Sequence, residues 1–147
     1  MGKEKEWYRD YATHAFQQYA ALGYPTRDAY ELKIRQEVLR RNAADPSDEI
    51  DKKADKAVAD KKPLLADIEA VNIVIDALKV SGKSYVIEAI HDVYFVEPKR
   101  KPRRGEIHSR VTRCAADRYA STRSVYDWLR VARLMFCQER GMNTSDG

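Results

Sequence analysis

The side chains best suited to chemistry lie near the C-terminus. Thr122, Arg123, Ser124, Tyr126, Asp127, Arg130 and Arg133 follow one another at spacings of one to three residues. On a helix beginning at Thr122 and running to about Arg140, Val125, Leu129, Ala132 and Phe136 line one face, with Trp128 and Met135 beside them. Arg123, Tyr126, Asp127, Arg130 and Arg133 fall on the other face. Arginine makes forked contacts with phosphates and guanine edges. An exposed helix N-terminus adds free backbone N–H groups for a phosphate. The pattern predicts recognition of double-stranded DNA. Arg123, Ser124 and Asp127 would lie near bases, and Arg130 and Arg133 would reach phosphates.

Two further sets of cations accompany this helix. Residues 106–118 form an amphipathic segment with Ile107, Val111, Cys114 and Ala115 on one face, from which Arg110 and Arg113 fall away. Ahead of it, Glu97-Pro98-Lys99-Arg100-Lys101-Pro102-Arg103-Arg104-Gly105 sets five cations among two prolines and a glycine. That composition forbids a continuous helix and predicts a basic loop able to follow a phosphate backbone. From Pro98 onward, twelve Lys and Arg stand against five Asp and Glu, a net of +7 in a chain whose total is +4. The remainder is therefore slightly acidic. A localised basic third is the electrostatic footprint of a nucleic-acid binder, although a solvated basic surface gives the same count.

Other chemistries find little support. There is no Gly-rich phosphate loop, no GxSxG and no HExxH, so neither an enzyme nor a bound cofactor is expected. His14, His91 and His108 are dispersed, and Glu88 with His91 at i,i+3 does not make a site. Cys114 and Cys137 belong to no CxxC pair and have no metal-ligand spacing, which predicts two buried thiols. No apolar run reaches the roughly 20 residues that cross a bilayer. The opening MGKEKEWYRD lacks a signal-peptide core, so no membrane partner and a cytoplasmic location are expected.

The elements that must position these residues read as helices throughout, an all-α fold. With 44% hydrophobic residues the chain can build a core, and six Gly and five Pro leave few breaks for a many-stranded sheet. Residues 3–22 carry an aromatic stripe, Tyr8, Tyr11, Ala15 and Tyr19, stopped by Gly23 and Pro25. Thr26 is placed to cap a helix to about Asn42, and Asp45-Pro46 reads as a further helix start. Residues 48–62 hold five acids and five lysines in fifteen positions, an exposed helix or a linker. A soft boundary there separates a charged helical N-terminal region, 1–62, from a helical core with its DNA-binding unit, 63–147. Leu64, Ile68, Val71, Ile75 and Leu78 keep a 4-3-4-3 seam, and Ser84 could cap the next helix, whose core side holds Val86, Ile87, Ile90 and Val93.

The run ASTRSVYDWLRVAR, residues 120–133, resembles the recognition helix of sigma-factor region four. The wider order of an apolar helix, then YVIEAIHDVYF, then a basic C-terminal helix-turn-helix, is similar to phage late-transcription activators of the ArpU and RinA type. The resemblance covers about residues 63–140. It implies that Ser121 caps the helix, that Val125 and Leu129 are core, and that Thr122, Arg123, Ser124, Asp127 and Arg130 face DNA. In the family's turn an apolar residue and glycine stand where this chain has Arg118 and Tyr119.

These observations predict a sequence-specific transcription regulator of phage or prophage origin, with double-stranded DNA and RNA polymerase as partners. Two other classes compete. A terminase small subunit or packaging adaptor would join the same motif to helices that oligomerise, through 3–22 or 63–79. A helical interaction module, such as an anti-sigma-like binder, would have no DNA affinity.

Overall fold

A computed structural model describes residues 4–44 and 49–142. Seven helices and no strand are found among them: α1 Glu6–Ala21, α2 Arg27–Arg41, α3 Ile50–Asp60, α4 Lys62–Val80, α5 Ser84–Tyr94, α6 Glu106–Asp117 and α7 Thr122–Glu139. The all-α expectation is met. The Asp45-Pro46 helix start lies outside the described residues.

The core joins α1, α4, α5, α6 and α7. Phe16 of α1 stands at its centre, with ring centroids 5.8 Å from both Tyr94 of α5 and Phe136 of α7. Leu65, Ile68, Val71, Val74 and Leu78 of α4 are all buried, as are Val86, Ile90 and Val93 of α5. Each such side chain contributes roughly 1.5–3 kcal/mol by leaving water. Most of the expected stripes on α1 and α4 face the interior of the fold, but Tyr11, Leu64 and Ile75 are half-buried, and Leu65 and Val74 complete the buried line of α4. The N-terminal aromatic helix packs with the C-terminal helices, so α1 and the helices after residue 62 share one core.

Two helices stay outside this core. α2 has no buried residue, and α3 buries only Ala54. The charged run 48–62 forms an exposed helix over its described part, packed on α2. The Asn72 side chain of α4 anchors the entry to α2, donating to the Pro25 carbonyl at 3.1 Å and accepting from the Arg27 amide at 3.2 Å. Arg35 pairs with Asp55 at 2.8 Å across α2 and α3, an exposed contact of small net worth.

Local signals explain the helix ends. Thr26 accepts from the Ala29 amide and Ser121 from the Ser124 amide, as N-caps do. Ser84 differs from expectation: it is the first residue of α5, the cap position is Lys83, and no side chain caps that helix. Gly23, Gly82 and Gly141 take positive φ just beyond α1, α4 and α7. The following amides reach back to Tyr19, Leu78 and Cys137, closing the left-handed C-terminal motif that glycine favours.

Candidate nucleic-acid interface

α6 and α7 are joined by four residues, 118–121, and pack against each other. The same C-terminal motif ends α6, with the Ala120 amide bonded to the Ala115 carbonyl at 2.9 Å. Here the left-handed position is held by Tyr119, at φ 54°, not by glycine. The residue is fully exposed, so no packing offsets the strain. Arg118 fixes the turn from the other side. Its guanidinium donates to Asp92 at 2.7 Å and Glu88 at 3.1 Å, both on α5.

The start of α7 is a defined surface. The Ser124 amide donates to Ser121 Oγ at 3.0 Å, and the Ser121 hydroxyl donates to Ser124 Oγ at 2.9 Å. Ser124 is thus half-buried and engaged in the cap. Thr122, Arg123, Tyr126 and Asp127 are exposed on the first two turns, and Arg130 is half-buried. The Tyr126 hydroxyl lies 2.8 Å from His108 Nδ1, with the rings stacked, which braces α7 on α6.

Arg133 is not on this surface. Both carboxylate oxygens of Glu4 accept from it at 2.9 Å, and the Tyr94 hydroxyl oxygen accepts at 2.7 Å. Its residue exposure is 8%. The expectation that it reaches phosphates is corrected. The segment leading into α1 lies over that part of α7, and periodicity within α7 carries no trace of a neighbour 129 residues away. Burial opposes the charge on Arg133, but hydrogen bonding to Glu4 and the Tyr94 contact outweigh it and raise its pKa further.

Arg110 is corrected in the same way. It does not fall away from the core, because one nitrogen donates to the Val93 carbonyl at 2.9 Å and another to Glu106 at 3.0 Å. Arg113, by contrast, is exposed. In the basic loop, Arg100 is held by Glu97 and by Glu106 at 3.0 Å, and Arg103 approaches Glu106 at 4.0 Å. Hydrogen bonding from Arg100, opposed by some desolvation, holds the Glu106 carboxyl below its usual pKa. Lys99, Lys101, Arg104, Arg113 and Arg123 make no ion pair with another described residue. These five, with the exposed start of α7, are the cations of the expected set left available to a phosphate.

Sequence reading missed three features. Glu106 was legible as an i,i+4 partner of Arg110, but its grip on Arg100 depends on the loop fold. The anchoring of Arg118 on α5 has no local signal. A groove of about 900 Å3 separates the polar face of α1 from loop residues 98–102. Both thiols are buried, as expected. Among the described residues, no helix is long and apolar enough to cross a membrane.

No protein-family model matches the chain, and neither a curated protein nor a solved structure matches it.

Proposed function

We propose that this protein is a sequence-specific DNA-binding transcription regulator of the phage late-activator kind, reading the major groove with the first two turns of α7. One observation carries the reading: α6 and α7 are joined by a four-residue turn, and the capped, exposed N-terminal turns of α7 present Thr122, Arg123, Tyr126 and Asp127. In this arrangement the first helix braces the second, and the second places its N-terminal side chains at base edges. Arg113, Arg104 and the loop lysines supply unpaired charge for the flanking phosphates. The acidic remainder of the chain is the part that would touch RNA polymerase.

The test begins with selection of phage and host genomic fragments on the purified protein at physiological salt. An enriched promoter-proximal site gives the target. Arg123→Ala should then weaken binding to that site by about 1–3 kcal/mol while the melting temperature is unchanged. Equal affinity for the site in the variant removes α7 as the reading helix.

A packaging adaptor is the second reading, and α2 favours it. Tyr30, Ile34 and Val38 are only half-buried, and Leu32 and Leu39 are 55% and 48% exposed. Such a helix has apolar surface to offer a neighbouring subunit. Light scattering separates the two: a large ring supports packaging, and a monomer or dimer supports regulation.

A further inference from the structure

The groove between α1 and the basic loop offers more than DNA contact requires. One wall is the loop, where Lys99 and Lys101 are exposed and have no acidic partner among the described residues. The other is α1, where Thr13, His14, Gln17 and Gln18 line the recess without a side-chain hydrogen bond to a described residue. The loop's course is set by its own contacts. Arg100 ties it to Glu97 and Glu106, and Pro98 and Pro102 fix the backbone on either side of the cations. Two lysines without an acidic partner among the described residues thus lie across a preformed gap from the amide and hydroxyl groups of α1.

We propose that this groove binds a small phosphorylated molecule, with Lys99 and Lys101 on its phosphates and the α1 polar side chains on its body. Lysine ammonium groups are compact cations with three rotatable donors and bind phosphate well. The glutamine amides both donate and accept, as the body of a nucleotide-sized ligand requires. At about 900 Å3 the recess is the size of a small-ligand site. Asp10, also lining the groove and 3.7 Å from Arg9, would accept from a ligand hydroxyl. This site uses neither α7 nor Arg113, but it shares Lys99 and Lys101 with the proposed DNA surface.

The test uses the full chain, with pyrophosphate as the probe of the phosphate end and ADP as the probe of the whole groove, both followed by calorimetry without added metal. Both should bind. Lys99→Ala with Lys101→Ala should weaken both by about tenfold or more. Gln17→Ala with Gln18→Ala should weaken ADP and leave pyrophosphate unchanged. Arg123→Ala should change neither. The proposal is overturned if pyrophosphate does not bind the unsubstituted chain, or if it binds the lysine variant equally well. It is also overturned if the lysine variant loses affinity for duplex DNA alone, which would assign the loop to the DNA surface.

Discussion

Arg133 and Glu4 form a two-pronged ion pair, with both N···O distances 2.9 Å and side chains 10% and 9% exposed. It clasps the residue just ahead of α1 to the middle of α7. A pair this far from water is a poor source of net stability, yet removing one member leaves the other charge buried and alone. Arg133→Ala should therefore destabilise the fold by about 3 kcal/mol or more in urea titration. The salt dependence of DNA binding should be unchanged in the fraction that remains folded, since Arg133 reaches no phosphate. Replacing the pair together by leucine at 4 and methionine at 133 should restore most of the lost stability.

Glu106 holds back part of the basic loop. It receives Arg100, Arg110 and, at longer range, Arg103. Glu106→Gln should release Arg103 and loosen Arg100, which keeps its pairing with Glu97, while conserving shape. Duplex affinity should rise, and the slope of log affinity against log salt should steepen by about one per cation that gains a phosphate. An unchanged slope would mean that the loop does not meet DNA.

The same carboxylate sets an acid limit. Its folded pKa lies below the usual 4.5, first because of Arg100, so it stabilises the folded state above that usual value. The contribution fades as pH falls through the lowered folded value. The clasp on the loop should therefore be constant from pH 7 to 5 and lost only in stronger acid. Amide exchange of residues 97–105 compared with α6 reads this directly, and loosening already at pH 6 would contradict it.

What the sequence disclosed and what it withheld divide along one line. Caps at Thr26 and Ser121, stops at Gly23 and Gly82, and the inner face Val125, Leu129, Ala132 and Phe136 are local signals, and all appear in the structure. The partners of Arg133 and Arg118, and the Val93 carbonyl that Arg110 meets, lie on other elements or at chain distances that periodicity does not encode. Arginine on a helix looks the same in sequence whether it meets water, a carbonyl or a buried glutamate. The exposed face of α7 was thus legible where exposure follows from helical phase, over its first turns. It was misread where a second helix or a returning loop covers that face.

The two thiols should be inert in the native state. Burial raises both, Cys137 to about 11, with Glu4 adding to the effect. At pH 8 the native protein should react with a thiol reagent far more slowly than the urea-unfolded chain, because the thiolate is the nucleophile. The sign for stability follows. Below the unfolded thiol's usual value of 9.0 both states hold the proton, and the contribution is complete. Between that value and about 11 only the unfolded state has lost it, so stability declines as pH rises. Cys137→Ser should flatten the decline between pH 9 and 11 in urea titrations.

Tyr119 offers the most direct test of strain in the turn. It holds φ 54° where α1, α4 and α7 place glycine, and it is fully exposed. An L side chain in the left-handed region costs roughly 1–2 kcal/mol, partly offset in a glycine variant by the greater freedom of the unfolded chain. Tyr119→Gly should therefore stabilise the protein by about 0.5–1 kcal/mol, whereas Tyr119→Ala, which keeps the Cβ, should gain little. Binding separates two reasons for a tyrosine here. If the glycine variant is more stable and binds its DNA site equally well, the residue is a tolerated defect of the turn. A more stable variant with weaker DNA binding would mean that the strain holds the Tyr119 ring outward against the duplex, because bulky residues in this conformation concentrate where function requires them.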